Sequence, residues 1–195
     1  MSSERYSREL TNLEATSRIL LQEKKLKEVM QLYDKCLSAR RFDLGDADAN
    51  TVELILVYAK LLSKQSQKRK HWKAARKLYE EAFDYFADQN DDEYYLKLLR
   101  MQHSYSVLLS KLGDYEGAKK ILEKLLEKFQ AIYAGDGDHD YILNTFNQLG
   151  SVLKKIGNLR LSKAYYERAF YGRVVESLLD YVIHILMHSI LIIRC

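Results

Sequence analysis

Apolar positions recur with one spacing in four places along the chain. Each begins with a large residue, followed by a small one three positions on, a large one four further and a small or medium one three further. They read Leu26, Val29, Tyr33 and Cys36; Trp72, Ala75, Tyr79 and Ala82; Tyr115, Ala118, Leu122 and Leu125; and Leu159, Ser162, Tyr166 and Ala169. The small members Val29, Ala75, Ala118 and Ser162 follow one another at intervals of 46, 43 and 44 residues. Steps of three and four place all members of a set on one face of a helix. The small side chain lets a neighbouring helix approach, and the large one fills the space beside it.

A second striped segment precedes each of these. The four carry Leu13, Thr16, Ser17 and Leu20; Ile55, Tyr58, Ala59 and Leu62; Gln102, Tyr105, Ser106 and Leu109; and Phe146, Leu149, Gly150 and Leu153. Gly150 falls in the middle of its helix, where it costs about 1 kcal/mol relative to alanine; a close helix crossing accounts for its tolerance. Between the paired segments lie Lys111–Tyr115 and Lys155–Leu159, each with a glycine able to take the left-handed conformation that ends a helix. In the second pair the turn is stretched by residues 65–70.

A motif of this period predicts helix pairs stacked so that each buries its apolar side on the next. The pairs are expected at about 3–43, 50–88, 92–134 and 140–172, with an apolar C-terminal helix, a cap or atypical tail, over 173–195. Composition agrees. The chain of 195 residues holds no proline and eight glycines, which favours uninterrupted helices. Alternating Val, Ile and Thr runs bounded by turn residues, the usual strand signal, do not occur. The expected fold class is therefore all-α, an α-solenoid of antiparallel helix pairs.

Phe146-x-x-Leu149-Gly150, with Gly157, Ser162, Tyr166 and Ala169, resembles the tetratricopeptide consensus, as does Gly113-Asp114-Tyr115-Glu116-Gly117-Ala118. The link from Tyr133 to Tyr141, followed by Phe146-Asn147-Gln148-Leu149, is similar to the inter-repeat link of the kinesin-light-chain-like, long-repeat subclass. Leu44 to Asn50 keeps the same register before Tyr58-Ala59. The family's usual proline is Asp140 in one link and Ala49 in the other.

The resemblance implies a right-handed superhelix of these pairs, a right-handed α-solenoid, serving as a non-enzymatic scaffold or adaptor whose first helices line a concave, peptide-binding groove. Matching positions are Thr11, Glu14 and Arg18; Glu53, Lys60, Ser63 and Lys64; Arg100, His103 and Lys111; and Asn144, Asn147, Ser151, Lys154 and Lys155. Such a lining is polar and net basic, and it suits an acidic or carboxylate-ended peptide. The full lysine, arginine and asparagine set of the chaperone-tail clamp is not found.

The formal net charge of +4 implies no particular partner, but seven basic residues run from Lys64 to Lys77 without an acid. A nucleic-acid partner for this run is the alternative to a solvated loop and helix start. Asp136–Asp140 fails as a calcium loop, because its sixth and twelfth positions are Tyr141 and Asn147 rather than glycine and glutamate. His184 and His188 stand four apart with no third ligand, so no metal or cofactor is expected.

Nothing resembles a nucleophile elbow, a phosphate loop or a paired-carboxylate site, so no catalytic residue is expected. Cys36 and Cys195 form no metal or disulfide framework, and the N-terminal residues show no secretory signal, which fits a cytoplasmic, reducing setting. From Val174 the chain turns strongly apolar. Its charge-free stretch Tyr181–Ile193 covers about 20 Å as a helix against about 30 Å of hydrocarbon, so a membrane-docked adaptor through 174–193 is a third alternative.

Overall fold

The computed structural model describes residues 2–46, 48–87, 92–135 and 139–193. Among them the elements are α1 (Ser2–Gln22), α2 (Leu26–Leu44), α3 (Ala49–Gln65), α4 (Arg69–Ala87), α5 (Asp92–Leu112), α6 (Tyr115–Ile132), α7 (Asp140–Ile156) and α8 (Leu159–Ile193), with no strand. The helices form two compact units, residues 1–112 and 113–195. The first holds α1–α5, with each helix packed on the next and the alternate helices α1, α3 and α5 also touching in sequence; the second packs α6 on α7 and α7 on α8. This is the all-α fold of antiparallel helix pairs that the periodicity predicts.

Helix ends follow local chemistry. Asp48 caps α3 by accepting from the Asn50 amide at 2.9 Å, and Asp114 caps α6 by accepting from Gly117 at 3.0 Å. The turns after α1 and α7 have one geometry. The Lys25 amide donates to Leu20 O at 2.8 Å in the first, and Asn158 to Leu153 O at 2.9 Å in the second. Each needs a left-handed residue at its centre. Gly157 supplies it with φ +96°, whereas Lys24 adopts φ +60° despite its side chain.

In the first unit, successive pairs are locked by tyrosines. Tyr58 of α3 stacks on Tyr33 of α2, with ring centroids 5.1 Å apart, and its hydroxyl donates to Asp34 at 2.7 Å. Tyr105 of α5 repeats this against α4, edge-on to Tyr79 and Phe83 and donating to Glu80 at 2.9 Å. Burial, and then the hydrogen bond to Glu80, pushes the Tyr105 hydroxyl up to about 12. Burial and Asp34 raise Tyr58 in the same way. Arg40 adds a second tie: its buried guanidinium donates to Tyr6 O of α1 and Asn50 O of α3, each at 2.8 Å.

In the second unit α7 and α8 cross closely at Gly150. A Cβ added there would sit 3.0 Å from ring carbons of Tyr166, and Ser162 Oγ donates to Gly150 O at 2.7 Å. The small members Val29, Ala75, Ala118 and Ser162 are all buried, as their role at helix crossings requires. Residues 173–193, read from the sequence as a segment apart from the fourth pair, continue α8 without a break. No left-handed glycine follows Gly157 in the described residues, so nothing stops the helix at Gly172.

Candidate functional site

The first helices α1 and α3 enclose a cleft of about 270 Å³ in the first unit. Its apolar floor is Leu21 of α1, Val57 and Leu61 of α3, and the Tyr33 ring of α2. Arg18, Lys60 and Lys64 stand around this floor with one acid, Glu14. Helical spacing brings them together: Val57, Lys60, Leu61 and Lys64 are three, four and seven apart along one face of α3. All three cations are exposed. Their fields are therefore screened by salt but open to a ligand.

A second hollow of about 280 Å³ shares Val57 and Lys60 with the first and extends toward α4 and α5. Asn50, Glu53 and Leu56 of α3, Tyr85 and Phe86 of α4 and Lys97 of α5 complete its lining. The two hollows thus form a continuous trough along α3, with lysines rising from apolar ground. The part of the trough made by Leu56, Tyr85, Phe86 and Lys97 was not anticipated from the sequence. Phe86 and Lys97 sit 11 residues apart on successive helices, and only packing brings them to one hollow.

His103 is half-buried in α5, and Arg100 is exposed on the same helix. Lys111 is drawn into the scaffold: its Nζ donates to Ser63 O at 2.5 Å, at the C-terminal end of α3, and lies 5.7 Å from the centre of the Trp72 ring. A cation at that carbonyl end is favoured by the helix dipole. In the second unit, Asn144, Asn147, Ser151 and Lys154 recur along α7 at helical spacing, with Lys154 and Lys155 exposed at its end. Asn144 Oδ1 accepts from Arg173 of α8 at 2.9 Å.

The basic run from Lys64 to Lys77 is divided among several tasks. Lys64 borders the cleft, Arg69 donates to Leu112 O at 3.2 Å, and Arg76 pairs with Glu80 at 2.8 Å. Burial, then Lys70 and Lys68, lower His71, whose Nδ1 lies 2.6 Å from Ser66 Oγ.

No group of three potential metal ligands occurs among the described residues. Residues 136–138 of the acidic link lie outside them, and so do the side chains of His184 and His188. No helix is long and apolar enough to cross a membrane among the described residues, and the tail side chains from 179 onward, on which membrane docking would rest, are not among them.

Residues 97–170 match the tetratricopeptide repeat family. No curated protein matches the sequence significantly. Among solved structures, the tetratricopeptide-like repeats of a kinesin light chain from Podosopora anserina share 15% identity at a TM-score of 0.54, over 86% of this chain and 96% of that one. BtubC (BKLC) from P. vanneervenii shares 16% identity at a TM-score of 0.55, over 90% and 84% of the two chains. With its helix pairs, its recurrent small-and-large faces and this match, the chain carries tetratricopeptide repeats over residues 97–170 and is similar in fold to the long repeats of the kinesin-light-chain-like structures.

Proposed function

We propose that this protein is a non-enzymatic interaction scaffold whose first unit receives an acidic peptide segment of a partner protein in the trough along α3. The observation that carries this reading is the grouping of Arg18, Lys60 and Lys64 around Leu21, Val57 and Leu61. Three cations against one acid attract carboxylates, while the apolar floor accepts the side chains between them. The repeat fold supports a protein partner in general. In the second unit, the Asn147 amide on α7 offers a donor and an acceptor suited to an extended backbone.

The test is a peptide array scored for acidic content, followed by titration of the best binders into the full chain and into Lys60→Glu combined with Lys64→Glu. Both lysines are exposed, so the variant keeps its fold. Binding should favour acidic peptides, weaken as salt rises and fall by at least tenfold in the variant. Indifference of the array to charge, or equal affinity of variant and parent, removes the proposal.

A further inference from the structure

Each second helix carries, at matching positions, a large side chain, an acid directly after it and another large side chain four residues beyond the first. The sets are Tyr33, Asp34 and Leu37 on α2; Tyr79, Glu80 and Phe83 on α4; Leu122, Glu123 and Leu126 on α6; and Tyr166, Glu167 and Phe170 on α8. In the first unit two of these sets are filled by the next helix. Tyr58 stacks on Tyr33 and donates to Asp34; Tyr105 lies edge-on to Tyr79 and Phe83 and donates to Glu80.

Among the described residues the same set on α8 is covered only in part: Tyr166 packs on Gly150 of α7, and no further helix lies over Phe170. Phe170 is 62% exposed where Leu37 is 5%, and Tyr166 is half-buried where Tyr33 and Tyr79 are fully covered. Among the described residues Glu167 pairs with Lys163, at 3.6 Å, and is itself half-exposed. Tyr171, Val175 and Leu178 continue the exposed apolar surface along the helix. Because α8 runs unbroken to Ile193, its later residues follow the same axis and do not fold back over this face.

We propose that this face of α8 is a docking site for an amphipathic helix of a partner protein that presents a tyrosine, a small residue next to it and a leucine four residues after it. The internal sockets define that chemistry. The helices that fill them bring Tyr58, Ala59 and Leu62, or Tyr105, Ser106 and Leu109. The ring enters beside Tyr166 and Phe170, the hydroxyl donates to Glu167, and the small residue allows the two backbones to close together. The carboxylate is what selects tyrosine over leucine. On α6 the position that would supply Glu123 with such a donor is Leu149 of α7, and among the described residues Glu123 pairs with Lys119 at 3.7 Å. A second copy of this chain is a poor fit through α1, which offers Thr16 and Ser17 where the socket takes an aromatic ring. The site is separate from the α3 trough and does not depend on it.

The experiment uses a fluorescein-labelled synthetic peptide spanning residues 48–66, which carries Tyr58, titrated into the full chain and followed by anisotropy. Saturable binding is expected. It should weaken at least tenfold with Phe170→Asp in the protein. It should weaken about fivefold, the worth of one hydrogen bond, with Glu167→Gln in the protein or Tyr58→Phe in the peptide. Phe170 and Glu167 are exposed, so both protein variants fold, which circular dichroism checks; Phe170→Ala serves as a milder second variant. No saturable binding, binding that survives Phe170→Asp, or binding that ignores the tyrosine hydroxyl in both hydroxyl tests overturns the proposal.

Discussion

Replacing Gly150 by alanine sets two effects against each other at the α7–α8 crossing. In a helix interior the change ordinarily stabilises by about 1 kcal/mol. Here the new Cβ would lie 3.0, 3.0 and 3.1 Å from three carbons of the Tyr166 ring, well inside the 3.5–4.0 Å of a good carbon contact. Relief by separating the helices is opposed by the buried bond from Ser162 Oγ to Gly150 O, 2.7 Å long, which pins the two backbones together. Overpacking of this kind costs about 1–3 kcal/mol. The clash therefore outweighs the propensity gain, and Gly150→Ala should destabilise by about 1 kcal/mol.

Urea melts followed by circular dichroism measure the change, and amide hydrogen exchange on α7 and α8 assigns it to the second unit. In a Tyr166→Ala background the ring is gone, and the same substitution should then stabilise by about 0.5–1 kcal/mol. The coupling between the two sites is thus about 2 kcal/mol, within the range for residues in contact. If Gly150→Ala alone raises stability, or the coupling vanishes, the close crossing is refuted.

Two further outcomes are expected. Lys24→Gly should stabilise by about 0.5–1 kcal/mol in thermal melts, because glycine relieves the left-handed strain that Gly157 avoids in the matching turn; a destabilised variant would show that Lys24 earns its conformation through contacts of its side chain. Tyr105 should make stability fall as pH rises from about 10 to about 12. Its folded pKa lies above the unfolded value near 10, so the native state holds the proton longer and its contribution, complete below pH 10, is lost through that window. Allowing for solvent screening, the loss is of order 1 kcal/mol. Melts of Tyr105→Phe beside the parent isolate it, and parallel pH profiles of the two would contradict the Tyr105–Glu80 bond.

The helix pairs were legible because their evidence is local. Val29, Ala75, Ala118 and Ser162 mark the close-packed face in the sequence, and each is buried. The candidate groove was legible in part. Arg18, Lys60 and Lys64 do converge on one cleft, since α1 and α3 pack side by side and helical spacing aligns the two lysines. Lys111 reads as a groove cation by position, yet it reaches Ser63 O and Trp72, contacts made across long separations in the chain. Tyr58 and Tyr105 read as core aromatics. Their acid partners on preceding helices emerge only when the helices are packed.

The order of large and small residues, the absence of proline and the near-constant repeat interval by themselves determined that this chain folds into paired helices. Those signals act within a turn or two of helix, so no tertiary information is needed to read them. Which cations meet over an apolar floor and which tyrosine finds a carboxylate were decided by tertiary structure. Each depends on distances between residues 24 or more apart in the chain, set by how helix faces interlock rather than by any local preference.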